Sequence, residues 1–279
     1  MKTLLAAKAP AKINLALEIT GRRGDGYHNL RTIMASVSLC DDLTLTLSPC
    51  EPGKETFTAF AEGVEGQNLA ARAARLFMNA AGFRGWSCHV HIEKRIPVSA
   101  GLGGGSSDAA AVLRALDEWA AARADGHSLG ETDNQRPPLQ ELALELGSDV
   151  PYCLRGGVCL AEGRGEILTP LPPLPDCHIV LVTPPAAVST AEAFRRFDGM
   201  EWPERTETAR PAGNVFESVT RLPEVAEIKR LLSGAGAANA TMSGSGPTVF
   251  GIFDDITKAN QAIYTIRPQF PKTFLVKPV

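Results

Sequence analysis

Four glycines within the five positions 101–105 constrain the fold of this chain more than any other local feature. Glycine loses more conformational entropy on folding than other residues and buries no side chain, so such a cluster needs a structural reason. The favoured reason is a backbone that curls tightly and lets another group approach it closely. A flexible loop is the alternative, but such loops seldom lead directly into a capped helix.

A helix is predicted directly after the glycine run. Residues 107–122 are rich in Ala, Leu, Arg and Glu, which favour helix. Ser106, Ser107 and Asp108 are good residues for capping its start. A glycine loop that feeds a helix N-terminus presents unpaired N–H groups and the positive end of a dipole, and both attract phosphate. The sequence therefore predicts a phosphate-binding loop.

The spacing of the glycine run excludes a Walker A loop and argues against a dinucleotide-binding loop. A Walker A loop needs lysine and then serine or threonine after its last glycine, whereas Gly105 is followed by two serines and an aspartate. A dinucleotide fingerprint needs a third glycine at position 106, which is Ser106. Because residues 88–92 alternate like a strand just before the loop, a dinucleotide site remains a weaker alternative.

The composition of the 279-residue chain is typical of a folded globular protein, with 44% hydrophobic and 21% charged residues. A net charge of −3 gives no overall field for nucleic acid or acidic membranes, so neither is expected as a partner. No apolar run approaches the ~20 residues of a membrane span. Lys8, Pro10 and Lys12 interrupt the apolar start before a signal peptide can form, which predicts a cytoplasmic protein.

The six cysteines and five histidines form no recognisable metal-binding motif. Cys153 and Cys159 are the closest two cysteines in sequence, and their separation is unlike common zinc-ligand spacing. Buried thiols in a reducing compartment are therefore expected. His89 and His91 share one face of a predicted strand, and we expect a partly exposed pair there rather than a metal site.

Hydrophobic periodicity predicts an α+β fold, because strands and helices mix without a strict βαβ repeat. Strands are predicted at residues 9–20, 32–39, 43–47, 88–92, 178–183, 248–253 and 273–277, and helices at 67–81, 107–122, 139–146, 189–197, 224–232 and 256–264. The polar segments 126–138 and 201–213 are predicted to be loops. A change of composition near Gly163 and the prolines that follow place a boundary between domains over residues 1–162 and 163–279.

Lys12 and Asp149 are two charged residues whose positions indicate a function only when they are considered together. Lys12 projects from the polar face of the first predicted strand, and on that pattern alone it is an ordinary solvated lysine. Asp149 follows a helix end at Gly147 and precedes a Val-Pro pair, where an aspartate usually hydrogen-bonds the local backbone. Neither residue by itself indicates catalysis.

Three segments in order resemble the motifs of the GHMP kinase superfamily, which includes galactokinase, homoserine kinase and mevalonate kinase. They are APAKINL at 9–15, the glycine run with its flanks at 97–110, and MSGSGP at 242–247. With DGYH at 25–28 and GSDVP at 147–151, the resemblance is greatest to members that phosphorylate a cytidine diphosphate-linked methylerythritol for isoprenoid synthesis. The matching segments span almost the whole chain.

The resemblance implies a two-domain GHMP-kinase-like fold with the active site in the interdomain cleft and ATP as the phosphoryl donor. The residues it implies for ATP binding are the loop and two further positions: Pro97, Val98, Ser99, Ala100, Gly101, Leu102, Gly103, Gly104, Gly105, Ser106, Ser107, Asn68 and Lys94. As alternatives, Asn68 would cap a helix and Lys94 would be a solvated strand end. Mg²⁺ would arrive with the ATP, since no segment resembles a dedicated metal cage.

The resemblance also implies that Lys12 and Asp149 are catalytic partners. A carboxylate can accept the proton of a hydroxyl that attacks the γ-phosphate. A neighbouring ammonium keeps that carboxylate ionised and offsets charge on the phosphoryl oxygens.

For the substrate, the resemblance implies that Tyr27 stacks on the cytosine, that His28 hydrogen-bonds the base edge, and that Asn14 lies beside the erythritol part. The alternatives are a core tyrosine and a surface histidine. Some members add a second aromatic residue from the C-terminal domain. No aromatic residue lies at 186–190, and Phe194 is the candidate substitute.

The expected partners are ATP and the small-molecule substrate, and the expected assembly is a monomer or homodimer. The nearest rival function is another GHMP kinase of the homoserine or mevalonate type. A non-catalytic nucleotide-binding protein on the same scaffold would be expected to lack Lys12 or Asp149, and both are present. The third motif, residues 243–246, either shapes the site near the phosphates or is a purely structural turn.

Overall fold

The computed structural model describes residues 1–64, 66, 68–124, 137–200 and 213–279. Its strands are β1 (Thr3–Arg22), β2 (His28–Pro49), β3 (Phe57–Ala61), β4 (Trp86–Glu93), β5 (Val158–Gly163), β6 (Ile167–Pro170), β7 (His178–Val182), β8 (Asn239–Met242), β9 (Val249–Phe253) and β10 (Thr273–Val276). The helices are α1 (Leu69–Ala80), α2 (Gly104–Ala124), α3 (Leu139–Leu146), α4 (Val150–Arg155), α5 (Thr190–Asp198), α6 (Pro223–Gly234) and α7 (Ile256–Ile266), and a 3-10 helix spans Val215–Ser218. Apart from residues 137, 138 and 213, the two predicted polar loops lie outside the described residues.

The described chain forms two compact units that are each discontinuous in sequence. The first unit comprises Met1–Pro10, Cys40–Ile96 and Gly104–Arg155, and the second comprises Ala11–Leu39, Pro97–Gly103 and Gly156–Val279. β1 and β2 contribute residues to both. The predicted domains over 1–162 and 163–279 use different bounds and stay a prediction.

In the first unit, helices α1 to α4 pack with a sheet formed by β3, β4 and the second half of β2. β4 runs antiparallel to β2 in the register Asp42↔Glu93 to Pro49↔Trp86, and parallel to β3. From Asp41 to Leu47 alternate residues of β2 are buried, as the period of a half-buried strand requires. The core is apolar and includes Leu43, Leu45, Leu47, Phe77, Val90, Ile92, Leu113 and Leu116.

In the second unit, α6 and α7 pack on an antiparallel sheet of order β10–β7–β9–β8. The first half of β2 pairs with β5, which pairs in turn with β6. Its apolar core cluster includes Leu17, Ile19, Val180, Val182, Phe197, Phe216, Ile228, Val249 and Phe253. The predicted α+β class is confirmed. No helix of the described part of the chain is long and apolar enough to cross a membrane.

The predicted break between strands at 32–39 and 43–47 is wrong, because β2 continues through Asp41. Residues 40–42 lie between the two predicted strands. In the structure, the fully buried carboxylate of Asp41 accepts hydrogen bonds from the backbone N–H groups of Arg95 and Ile96, at 2.6 and 2.8 Å. A buried charge that is satisfied in this way does not end a strand.

The predicted helix after the glycine run begins earlier than expected, at Gly104 rather than near Ser107. Ser106, Ser107 and Asp108 therefore lie inside α2, and the prediction that they cap it is wrong. The Ser107 hydroxyl instead donates to the Pro10 carbonyl oxygen at 2.7 Å. Strands β3, β5, β6 and β8, the helix α4 and the 3-10 helix were not predicted, since four to six residues carry little periodicity.

Candidate active site

Lys12 belongs to a buried polar network in the second unit. Its ammonium donates to Asn14 Oδ1 at 2.6 Å, and Asn14 Nδ2 donates to Thr32 Oγ1 at 2.8 Å. The Thr32 hydroxyl donates onward to the Ala16 carbonyl oxygen at 2.7 Å. Lys12 is 5% exposed, so the expectation of a solvated lysine is wrong. Because the hydrogen bond to Thr32 fixes the orientation of the Asn14 amide, the Lys12 ammonium bound to that amide is also held in place.

The Ser243 hydroxyl joins this network to the glycine run. It accepts a hydrogen bond from the Asn14 backbone N–H at 3.2 Å and donates to the Gly101 carbonyl oxygen at 2.9 Å. The Lys12 backbone N–H also donates to the Leu102 carbonyl oxygen, at 3.0 Å. Residues 97–103 of the loop, residues 11–15 of the first motif and the motif at 242–247 therefore meet in one unit, although they are far apart in sequence.

Two glycines of the run are required by positive φ angles and close contacts. Gly101 has φ +77°, and a Cβ atom there would lie 2.1 Å from the Ser243 carbonyl oxygen. Gly103 has φ +68°, and a Cβ atom there would lie 2.9 Å from Lys12 Cγ. Any other residue would meet both backbone strain and a steric clash at these positions. The prediction of a tightly curled, closely approached loop is confirmed here.

The third motif forms a turn that is held by a side chain outside it. Asn214 Nδ2 donates to the carbonyl oxygens of Met242 and Gly244, both at 2.7 Å. Gly244 and Gly246 both have positive φ, at +56° and +86°. These contacts support the structural interpretation of the motif, and its position near bound phosphates stays a prediction.

Lys94 lies in the first unit between two carboxylates. Its ammonium donates to Asp41 at 2.5 Å and to Asp108 at 2.8 Å, and both acids are almost completely buried. The alternative of a solvated strand end is wrong. A Cβ atom on Gly104, the first residue of α2, would lie 3.3 Å from the Lys94 nitrogen. The cluster of Lys94, Asp41 and Asp108 therefore supports the start of this helix.

The charges of this cluster do not balance, since one ammonium faces two carboxylates. Burial raises the pKa of Asp108 to about 7, and the negative charge of Asp41 adds to the shift while Lys94 opposes it. Burial opposes the charge of Lys94, but the two carboxylates outweigh it and raise the pKa of that ammonium. Asp108 Oδ1 is buried and makes no hydrogen bond.

Asn68 and Asp149 also belong to the first unit. Asn68 Oδ1 accepts from the Ala70 backbone N–H at 2.9 Å, so the alternative role as the cap of α1 is confirmed. Asp149 directly precedes α4, and its carbonyl oxygen accepts from the Cys153 backbone N–H at 3.0 Å. The ATP contact of Asn68 and the catalytic role of Asp149 stay predictions.

An aromatic and acidic cluster surrounds His28 in the second unit. His28 Nε2 lies 2.7 Å from Asp198 Oδ1, and the imidazole stacks on Phe194 with ring centroids 4.8 Å apart. Because a carboxylate oxygen accepts, Nε2 of His28 carries a proton and donates to Asp198. His28 is buried and Tyr27 is half-exposed, so the alternative of a core tyrosine and a surface histidine is wrong.

Phe194 lies on α5 and is itself fixed by an edge contact with Phe216, at 4.9 Å between ring centroids. The sequence left this residue without a placement, and the structure puts it on His28. Asp198 lies on the same helix, one turn further on. No short-range spacing links these side chains to His28, so sequence reasoning missed Asp198.

Sequence reasoning also missed the contacts of four other polar residues, which are Thr32, Asp41, Asp108 and Asn214. Three of them lie in β2 or α2, where periodicity indicates only the type of element. Asp41 carried a usable signal, because an acidic residue inside an otherwise apolar alternating strand needs a buried partner. His89 and His91 are both exposed, as predicted.

Two family models match the chain. "GHMP kinases N terminal domain" matches residues 68–157, and "GHMP kinases C terminal" matches residues 212–272. The chain is similar over nearly its full length to curated proteins named 4-diphosphocytidyl-2-C-methyl-D-erythritol kinase. That of Lachnoclostridium phytofermentans is 40% identical, with 98% of this chain and 97% of the relative covered. That of Pelotomaculum thermopropionicum is 43% identical, with 92% of each covered.

A solved structure supports the same relationship. The crystal structure of a 4-(cytidine 5'-diphospho)-2C-methyl-D-erythritol kinase matches with a TM-score of 0.75 and 34% sequence identity. The match covers 100% of this chain and 99% of that protein. Similarity therefore extends over the whole fold rather than over the motifs alone.

Gly101→Ala is expected to destabilise the second unit by more than about 1 kcal/mol, because it combines a positive φ with a clash against backbone. Gly234→Ala is the matched control, since a Cβ atom there would meet nothing within 4 Å. Urea unfolding of both variants measures the difference. Equal stability of the two variants would show that the contact with Ser243 does not require glycine at position 101.

Asp108→Asn is expected to change how stability depends on pH. With its pKa raised to about 7, Asp108 binds a proton in the folded protein that the unfolded chain has already lost above about pH 4. Its contribution to the free energy of unfolding is therefore complete below about pH 4. This contribution is lost as the pH rises through about 7, by at most about 1.4 kcal/mol per pH unit.

Urea unfolding of the wild type, Asp108→Asn and the exposed control Glu118→Gln at several pH values from 5 to 8 measures this dependence. The free energy of unfolding of Asp108→Asn should rise relative to the wild type as the pH increases. Parallel curves for all three proteins would contradict the raised pKa.

Proposed function

The chain belongs to the GHMP kinase family, and from this membership we propose that it transfers the γ-phosphate of ATP to the 2-hydroxyl of 4-diphosphocytidyl-2-C-methyl-D-erythritol. The observation that carries the choice of substrate is similarity to kinases of that name over nearly the full chain. The half-exposed Tyr27 ring and the stacked pair of His28 and Phe194 support it, because a planar base needs aromatic faces and a polar edge contact.

We propose that the loop from Pro97 to Ser107 holds the phosphates of ATP. α2 is 21 residues long and begins inside this loop, so its first N–H groups and its dipole favour an anion there. Its start is set in the first unit by the cluster around Lys94. Lys94 and Asn68 are proposed to lie near the adenosine part.

We assign the acceptor chemistry to Lys12 and Asp149. The Asp149 carboxylate accepts the proton of the 2-hydroxyl as its oxygen attacks the γ-phosphorus, and ADP leaves with the electrons of the broken phosphorus–oxygen bond. The Lys12 ammonium, oriented by Asn14, offsets negative charge that develops on the transferred group. Asn14 is also proposed to lie near the erythritol part of the substrate.

The cytosine is assigned to Tyr27, His28 and Phe194. The imidazole of His28, held by Asp198 and Phe194, is proposed to hydrogen-bond the edge of the base. Phe194 is proposed as the second aromatic wall. Its contacts with His28 and Phe216 place it in the same cluster.

Among the described residues, no group of three or more His, Cys, Asp and Glu side chains is placed to hold a metal ion. The two buried acids near α2 share the ammonium of Lys94. We therefore propose that Mg²⁺ enters on the phosphates of ATP, where it would neutralise phosphate charge. The chain's own residues provide the remaining binding and proton transfer.

The proposal is tested by incubating the purified protein with ATP, Mg²⁺ and a panel of alcohols. Phosphorylation of 4-diphosphocytidyl-2-C-methyl-D-erythritol, with little turnover of homoserine or mevalonate, is the expected result. The position of the new phosphate follows from the ³¹P spectrum of the product. Turnover of homoserine or mevalonate without the cytidyl substrate would replace the proposed function by that of another GHMP kinase.

Asp149→Asn and Lys12→Met are each expected to lower kcat by about 10²–10⁴-fold, the usual size of an acid–base or charge contribution. Methionine keeps the stem that contacts the glycine loop and removes only the ammonium. Asp176→Asn and Lys8→Met are exposed controls and should keep wild-type turnover. Steady-state assays with saturating ATP measure the effects, and near-normal turnover of Asp149→Asn would refute its role as the base.

A further inference from the structure

The Tyr27 ring carries a cation on one face. The guanidinium carbon of Arg164 lies 3.8 Å from the ring centroid of Tyr27, well within the range of a cation–π contact. The backbone of Tyr27 is held separately, since its N–H donates to Asp25 Oδ1 at 3.1 Å and its carbonyl oxygen accepts from the Arg23 N–H at 2.8 Å. The backbone contacts fix the turn, whereas Arg164 fixes the ring.

The register of two strands brings Arg164 to this position. β5 pairs with the start of β2, with Gly163 opposite Leu30 and Glu162 opposite Arg31. The turn that follows β5 therefore lies next to the residues that precede β2. Because the pairing fixes the turn, the contact between Arg164 and Tyr27 does not depend on two independent loops.

The turn itself is closed by its own contacts. Gly163 and Gly165 have φ values of +70° and +117°, which other residues rarely adopt. The Glu166 carboxylate accepts from the Arg164 backbone N–H at 2.5 Å, and a Cβ atom on Gly163 would lie 2.8 Å from Glu166 Oε2. A side chain on such a turn is presented in a reproducible direction.

The Nε atom of Arg164 is buried and makes no hydrogen bond, although Glu162 lies two residues away in sequence. Oε1 of Glu162 lies instead 3.9 Å from Nε of Arg31. A guanidinium that is partly desolvated and stacked on an aromatic face interacts with it more strongly than an exposed one does.

We propose that Arg164 is a positioning residue that holds the Tyr27 ring for the nucleoside base of the substrate. This inference rests on the proposed function. Arg164 covers one face of the ring, so the base stacks on the other, and half of the tyrosine is exposed to receive it. Arg164 thus acts through Tyr27, and its loss weakens recognition of the cytidine part without affecting ATP.

Isothermal titration with cytidine diphosphate tests the proposal. R164Q is expected to weaken binding of this probe about fivefold, since it removes a cation–π contact that orients the ring. R164K keeps the charge but not the flat guanidinium, and a smaller loss is expected. R230Q is the matched control, because Arg230 is exposed on α6 and pairs with Glu227. Its affinity for cytidine diphosphate should equal that of the wild type.

A double-mutant cycle with Y27L separates positioning from a direct contact. In the Y27L background, R164Q should change the affinity for cytidine diphosphate less than twofold. In steady-state assays, R164Q should raise KM for the cytidyl substrate more than it lowers kcat, and KM for ATP should stay within twofold. A role in folding alone would lower the thermal midpoint without this division between the two substrates.

Three results overturn the inference. One is an equal loss of affinity from R164Q in the wild-type and Y27L backgrounds, which would place Arg164 directly on the ligand. Another is wild-type affinity in both R164Q and R164K. Where R164Q lowers the thermal midpoint, the affinity of R164K for cytidine diphosphate is compared with the wild type instead. The third result concerns the wild type. If the wild type itself fails to bind cytidine diphosphate while it binds ATP, the proposed substrate is wrong, and this inference falls with it.

Discussion

The buried polar network around Lys12 in the second unit depends on the hydroxyl of Ser243. It accepts from the backbone of Asn14 and donates to the carbonyl oxygen of Gly101, so one side chain connects three segments that are distant in sequence. The orientation of Lys12 follows from it, because Asn14 is held on both sides. The absence of a side chain at Gly101 makes this approach sterically possible.

The first unit sets the start of α2 with charge rather than with close backbone packing. Asp41 binds two backbone N–H groups and the ammonium of Lys94, which also binds Asp108. A buried carboxylate in excess is costly unless it is protonated or compensated. Close contacts therefore constrain residues 97–103 in the second unit, whereas a buried titratable cluster contacts the start of α2 in the first.

Much of the fold followed from pattern alone. The bounds of α3 agree with the predicted residues 139–146, and α1, α7 and β7 differ from theirs by at most two residues. Prediction failed where tertiary partners replaced local rules. β2 continues through Asp41 because a distant backbone satisfies that carboxylate, and α2 begins at Gly104 although serines and an aspartate suited to capping follow it.

By itself the sequence determined the α+β class, the tight glycine loop and its missing Walker lysine, and the motifs that place the chain among GHMP kinases. Those conclusions depend on local periodicity, glycine content and ordered spacing, which a linear sequence carries in full. Only the tertiary structure decided that Lys12 is buried and oriented, that His28 lies between Asp198 and Phe194, and that Arg164 covers Tyr27. These facts depend on strand register and packing between distant segments, for which local sequence contains no rule.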